Sequence, residues 1–350
     1  MWDLDNTLWS GILLEDQNVS IADSVRDLIR ILDSRGILQS IASKNDFDYA
    51  WAKLEELGIA EYFILPRISW GPKSEAIKGI MNDLKFSESA IAFIDDQVAE
   101  RAEVVFHLPQ VRCYSPEQLG SLQDLPEFNP RQVTEDARRR REMYRASFKR
   151  ETAREHFTGP DSEFLKSLDL SLSIVRADDS SLARVEELTL RTSQMNATGV
   201  HYSDSTLRSL LNDDSYEVCV ATLTDCYGPH GAIGVILLEK HTYTWHLRLL
   251  ATSCRVVSFG IGSVILNWLI SEALRSDVHL IADFRATERN RMMEMAYRFA
   301  GFEESICLCE TSLKEAQDDT RRFHLIPDQR PDAETVRLTA PILRPAGTLT

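Results

Sequence analysis

The sequence predicts an α/β chain of two domains, a parallel sheet with helices on both faces followed by a mixed α/β domain. Three observations carry this. At 350 residues the chain is long enough for two ordinary cores. The first ~125 residues alternate short apolar runs with amphipathic stretches, the pattern of β-α-β units. Beyond "LPEFNPRQ" (125–132) the rhythm changes to consecutive strands and then helix, strand, helix.

In chain order, apolar runs at 37–42, 62–65, 90–94 and 110–113 predict the first strands. Helical patterns lie between them at 24–34, 47–57 and 74–84, the first two ending before Gly36 and Gly58. A basic helix follows, with Thr134 as N-cap and eight Lys/Arg against five Asp/Glu from Glu135 to Glu155. Further strands are expected at 170–176, 218–224, 232–240, 244–251 and 278–283, with a helix at 264–274 and another ending before Gly301. The domain plan is therefore 1–125, a linker and basic helix over 126–160, a second domain over 161–327, and an extended, proline-rich tail over 328–350.

Composition narrows the function. A net charge of −15 argues against general nucleic-acid binding, and no apolar run approaches the ~20 residues of a membrane span. No signal peptide precedes Asp3, so a cytoplasmic location is expected. Six cysteines are scattered without metal-ligand spacing, Cys307 and Cys309 falling in an apparent strand. Reduced thiols are expected, and zinc is not.

The opening "MWDLDNTLWSG" sets Asp3 and Asp5 pointing the same way from a strand end. Such a pair can divide the work, one carboxylate as nucleophile and metal ligand, the other as acid/base. Only Met1 and Trp2 precede Asp3, fewer than a central strand normally takes, so the strand is expected to be a stub or, as we favour, to begin upstream. "LQSIASKND" then supplies Ser43, "SWGPKSEAI" supplies Lys73 at a helix entrance, and "AIAFIDD" ends in Asp95 and Asp96. Phosphoryl transfer through an aspartyl-phosphate needs this set: a hydroxyl and an ammonium for phosphate oxygens, and carboxylates for Mg²⁺.

These four motifs in order resemble the haloacid dehalogenase (HAD) superfamily. The resemblance implies a HAD-like Rossmannoid sheet, with Asp3 as nucleophile, Asp5 as general acid/base, and Ser43 and Lys73 as phosphate ligands. Mg²⁺ would be held by Asp3, the Asp5 backbone carbonyl and Asp95, with Asp96 a further partner. Only 37 residues separate Asp5 from Ser43 and 29 separate Ser43 from Lys73, so no large cap fits. An open site favours a bulky or protein-borne substrate, or a lid from the second domain.

In the second half, "TWHLRLLATSCRVVSFGIGSVILNWLI" reads as a strand, a turn with Gly260 and Gly262, and a helix. With "NRMMEMAYRFAGFEE" it resembles a GNAT-type acyltransferase. Val257 stands where that fold's pyrophosphate-loop arginine is expected, which argues against ordinary acetyl-CoA use. Cys254 lies just past the strand, beside Arg255, which would favour the thiolate.

A closer resemblance spans nearly the whole chain. "DLDNTLWSG", "SKND", "WGPKSE", "FIDDQVAERAEV", "REMYRASFKRETAREHF", "RTSQMNATGVHYS" and "SCRV" are similar to the FkbH-like family, which joins a HAD domain to a GNAT-like domain. Ser10, Gln97-Val98 and the turn "VVSFGIG" depart from its usual pattern. The resemblance implies loading of a glyceryl unit from 1,3-bisphosphoglycerate, with dephosphorylation, onto the phosphopantetheine thiol of a holo acyl carrier protein. Cys254 would carry the thioester, in polyketide pathways using a methoxymalonyl-type extender or a glycerate starter. Arg191, Gln194 and Asn196 would offer hydrogen bonds to the hydroxy acid. His201 is a candidate base, whereas His246 reads as structural. The helix 138–154 is either a linker or a surface for an acidic carrier. The alternative is a Mg²⁺-dependent phosphatase with a non-catalytic GNAT-like binding domain, or a binding module without catalysis.

Overall fold

The computed structural model describes residues 1–16, 18–130, 132–192, 194–305, 307–313, 319–331 and 333–344. The chain is α/β throughout and divides into two compact units, Met1–Arg145 and Ala146–Thr350.

In the first unit four very short strands pair in parallel: β1 (Ala42–Ser43) with β2 (Arg67–Ile68), and β3 (Ala92–Ile94) with β4 (Arg112–Tyr114). Trp2 joins the pairs through single parallel bridges to Ile41 and Ile94. Its N–H donates to the Ser40 carbonyl at 2.9 Å, and the Asp3 N–H donates to Ile94 at 2.9 Å. The strands expected at 37–42 and 62–65 are thus displaced toward their carboxyl ends, with only isolated bridges such as Gln39 to Phe63 upstream. What makes the array cohere is burial: Trp2, Leu4, Ile29, Ile41, Phe63 and Ile94 form one apolar cluster. Helices Asp23–Ser34, Phe47–Glu56, Lys73–Leu84 and Val98–His107 separate the strands, as the alternating pattern predicts. The basic helix breaks at Arg139 into Glu135–Arg138 and Arg140–His156, with Thr134 capping Ala137 N–H at 3.1 Å.

The second unit is a seven-stranded sheet in the order β10-β9-β8-β7-β6-β5-β11. Its strands are β5 (Leu170–Arg176), β6 (Tyr216–Asp225), β7 (Gly228–Lys240), β8 (Thr244–Thr252), β9 (His279–Arg285), β10 (Thr320–Leu325) and β11 (Val336–Thr339). Pairing is antiparallel except β8 with β9 and β5 with β11. The edge strand β11 lies within the stretch expected to be an extended tail, and Leu343 beyond it is buried in the same core. The helix Ile261–Arg275 packs Ile265, Leu266, Leu269 and Ile270 into that core, which is why its sequence is apolar on most sides.

β8 and β9 pair only from Thr244–Leu247 against His279–Ala282, and then diverge. The segment around Asn196 fills the wedge. Ala197 N–H donates to Leu250 (3.0 Å), Thr252 N–H to Met195 (2.7 Å), and Arg285 N–H to Ala197 (3.0 Å). One short segment therefore bonds to both diverging strands.

Candidate functional site

In a parallel sheet, functional groups gather at the carboxyl ends of the strands, and the first unit follows this rule. Asp3 follows Trp2, Ser43 ends β1, and Asp95 follows β3, while Lys73 opens its helix behind Pro72. Lys73 Nζ sits 2.7 Å from Asp3 Oδ1 and also pairs with Asp95. All three side chains are almost sealed from water. The Ser43 hydroxyl bonds to Asp3, and Gln97 N–H donates to Asp95 Oδ1 at 2.7 Å. Thr7, in the "DNT" turn, accepts the Asp96 N–H at 2.9 Å and so fixes the Asp95-Asp96 step.

Electrostatics then set the character of the cluster. Burial pushes the Asp3 carboxyl up despite the Lys73 charge beside it. Asp95 is raised by burial and then by Asp3, and Asp96 by burial and then by Asp95. For Lys73 burial acts to lower the ammonium, but Asp3 and Asp95 overcome it and hold it raised. Asp3, Asp95 and Asp96 each offer a carboxylate oxygen within 4.8 Å of the others. Asp96 Oδ1 is buried with no hydrogen-bond partner among the described residues. Three carboxylates facing one ammonium, with an orphaned buried oxygen, fit a hard divalent cation such as Mg²⁺.

Asp5 lends no carboxylate to that group. Its Oδ1 accepts from Trp9 Nε1 (2.8 Å) and Leu13 N–H (3.0 Å), and its Oδ2 from Asn45 Nδ2 (3.0 Å). Its side chain is thus engaged by Trp9, Leu13 and Asn45 instead of joining the other carboxylates.

In the second unit Cys254 is exposed at the head of a 3-10 helix, Cys254–Phe259, two residues past β8. Arg255 turns its Nε onto Ser253 Oγ at 3.2 Å. Gln194 is exposed, and the Thr252 to Met195 bond carries its segment to the same end of β8 as Cys254. Arg191 ends a helix, and its side chain lies outside the described residues. Asn196 is buried: its Oδ1 accepts from Thr198 N–H (3.1 Å) and Gly199 N–H (2.7 Å), while its Nδ2 has no hydrogen-bond partner among the described residues. Wedged between two strands, the residue turns its amide oxygen onto its own loop. His201 Nδ1 contacts Thr189 Oγ1 at 3.1 Å. His246 is buried against Asp283 Oδ1 at 2.7 Å, in keeping with its structural reading.

Two features escaped sequence reasoning. Arg248 bridges Glu239 (2.7 Å) and Asp283 (3.2 Å) across β7, β8 and β9 beside His246, a cluster foreshadowed only by the two-residue spacing of His246 and Arg248. The other concerns Cys307 and Cys309. The strand expected there is a 3-10 turn, Leu308–Ser312, and both thiols converge on His279 and His324. Sequence spacing could not show this convergence, because two of the donors come from strands distant in sequence.

Among the described residues, no helix is long and apolar enough to cross a membrane. Neither a family model nor a curated protein matches the chain. Among solved structures, the N-terminal part of a Bacteroides fragilis protein, containing a phosphatase domain and complexed with Mg, is 26% identical. That match covers 37% of this chain and 39% of that one, with a TM-score of 0.33. A Vibrio cholerae spermidine N-acetyltransferase in complex with CoA and spermine is 15% identical over 45% of this chain and 96% of its own (TM-score 0.34). The Escherichia coli ribosomal-protein-S18-alanine N-acetyltransferase is 17% identical over 46% and 96% (TM-score 0.34).

Proposed function

We propose that the first unit is a Mg²⁺-dependent phosphoryl-transfer site and the second an acyl-transfer unit. Together they would load a glyceryl unit from 1,3-bisphosphoglycerate onto a holo acyl carrier protein. The observation that carries the first half is the buried cluster of Asp3, Asp95 and Asp96 facing Lys73, with Ser43 bonded to Asp3. Asp3 would attack phosphorus, and Asp5, held by Trp9 and Asn45, would move the proton of the leaving oxygen. Bound Mg²⁺ would supply the positive charge that offsets repulsion between the carboxylate and the phosphate.

The exposure of Cys254 supports the second half, since an acyl-accepting thiol must be reachable. Its thiolate would attack the acyl-phosphate carbonyl, the carbon–oxygen bond to phosphate would break, and inorganic phosphate would leave. The acyl group would then pass to the carrier's phosphopantetheine thiol. Attack by Asp3 on that same phosphorus would discard the activation as free glycerate, so we assign the aspartate site to the C3 phosphate. Intact-protein mass with 1,3-bisphosphoglycerate and Mg²⁺ tests this. Wild type should gain a glyceryl adduct that holo carrier protein discharges, Asp3→Asn a phosphoglyceryl adduct, and Cys254→Ala none. Wild type that stays unmodified while releasing phosphate would refute the acyl step.

One observation favours a second reading, a phosphatase whose other unit only binds. Met195–Ala197 already fills the wedge between β8 and β9, where an extended thiol ligand would otherwise find backbone partners. Phosphate release from simple phosphomonoesters, unchanged in Cys254→Ala, is the result that reading requires.

A further inference from the structure

At one end of the seven-stranded sheet, four soft donors meet that neither proposed reaction uses. His279 opens β9, His324 lies on β10, and Cys307 and Cys309 flank Leu308 at the start of the 3-10 turn. One ring nitrogen or sulfur from each lies within 4.8 Å of all the others. His279 Nδ1 is 3.0 Å from His324 Nε2 and 3.6 Å from Cys307 Sγ. Zinc bonds of about 2.0–2.3 Å in a tetrahedron place neighbouring ligand atoms roughly 3.3–3.8 Å apart. The His279–His324 and His279–Cys307 spacings lie within a few tenths of an ångström of that range, and the remaining pairs within about 1 Å of it.

The surroundings hold these donors in place. Ser305 Oγ contacts His324 Nδ1 at 3.2 Å, which leaves Nε2 directed at the cluster, the usual outer partner of a metal-bound imidazole. Thr244 Oγ1 donates to the Cys309 carbonyl at 3.1 Å. Glu303 and His324 exchange backbone hydrogen bonds at 2.9 and 2.7 Å, fixing the approach to the cysteines. Among the described residues no carboxylate is one of the four converging donors, although the Glu310 charge lies near Cys309 and His324. Two thiolates and two neutral imidazoles balance one divalent charge, and sulfur with imidazole selects zinc over magnesium.

We propose that His279, Cys307, Cys309 and His324 bind one Zn²⁺ as a closed, four-ligand structural site that ties the Cys307–Cys309 turn to the β9–β10 edge. On binding, each thiol gives its proton to solvent, and the imidazoles coordinate through His279 Nδ1 and His324 Nε2. The all-oxygen aspartate cluster is chemically distinct and would not compete for a thiophilic ion.

Co²⁺ is the probe, added to the full chain after chelator treatment with the thiols kept reduced. Thiolate-to-cobalt charge transfer, which aspartates cannot produce, should rise and saturate at one equivalent, then bleach with one equivalent of Zn²⁺. Asp95→Asn and Cys254→Ala should keep the band; Cys307→Ser and Cys309→Ser should lose it. Metal-free Tm should match between wild type and Cys307→Ser, with Zn²⁺ raising only the wild-type value. The site is ruled out by a wild-type chain with no such band, or by a band that survives both cysteine substitutions.

Discussion

Lys73 Nζ lies 2.7 Å from Asp3 Oδ1 and also pairs with Asp95, so one buried ammonium bridges two carboxylates from different strand ends. Removing it leaves like charges facing each other out of water. Lys73→Ala should therefore cost about 3–5 kcal/mol of stability in chelator, visible as a lower Tm. Added Mg²⁺ should recover part of the loss, because the ion replaces the missing positive charge. Equal chelator Tm values for wild type and variant would contradict the bridging role.

Mg²⁺ binding should itself be measurable through stability. A ligand at 100 times its Kd stabilises the native state by about 2.7 kcal/mol, so Mg²⁺ should raise the wild-type Tm. Asp95→Asn removes a central donor of the cluster, and Asp96→Asn replaces the carboxylate whose Oδ1 has no other partner among the described residues. The Mg²⁺-induced rise should vanish in the first and shrink in the second. A full-sized rise in Asp95→Asn would place the ion elsewhere.

In the second unit, Asp225 accepts from Arg150 Nε, His230 Nε2 (3.0 Å), Tyr227 N–H (2.9 Å) and Gly228 N–H (3.0 Å). Burial alone would raise its carboxyl, but the His230 and Arg150 bonds hold it down at about 2, against an ordinary 3.8. A depressed carboxyl contributes stability above its unfolded value and loses it as pH falls through the folded one. The contribution is about 1–2 kcal/mol after allowance for screening. Asp225→Asn should therefore be less stable than wild type at pH 6, and the gap should close between pH 4 and pH 2. Denaturant midpoints across that range decide it, and a pH-independent gap would mean that packing, not charge, is lost.

Legibility followed periodicity and failed where the chain leaves it. β5 was readable residue for residue because its side chains alternate between buried and less buried positions from Leu170 to Val175. In the first unit, β1 and β2 are two residues each, too short for any period to register, and the apolar runs marked their approaches instead. Asp3, Ser43, Lys73 and Asp95 were legible because each sits at a strand end or helix start with a distinctive residue type. The Asn196 segment was not, since a polar run looks exposed until the divergence of β8 and β9 is known. Nor was the His279–His324 meeting, which depends on β9 and β10 pairing antiparallel.

Cys254 is exposed, so its replacement should be structurally silent. Cys254→Ala should shift stability by no more than about 0.5 kcal/mol, as surface changes usually do, while abolishing any acyl adduct. A Tm drop of many degrees would show that lost adduct formation reports folding instead of chemistry.

Asn290 offers the sharpest test of how the wedge is held. It is buried, and its Nδ2 donates to the carbonyls of Asn196 (3.0 Å) and Arg285 (2.9 Å), while its Oδ1 accepts the Thr287 N–H at 2.8 Å. Asn290→Ala leaves these groups without their partner inside the protein, at about 1–3 kcal/mol for each group left unsatisfied. The loss should not spread evenly. Asn196 belongs to the segment that bonds both β8 and β9, so hydrogen exchange should accelerate at Ala197 and Thr252 well before the β6–β7 amides respond. Uniform acceleration across the sheet would instead make Asn290 a general core residue, and the wedge segment would owe its position to the strands alone.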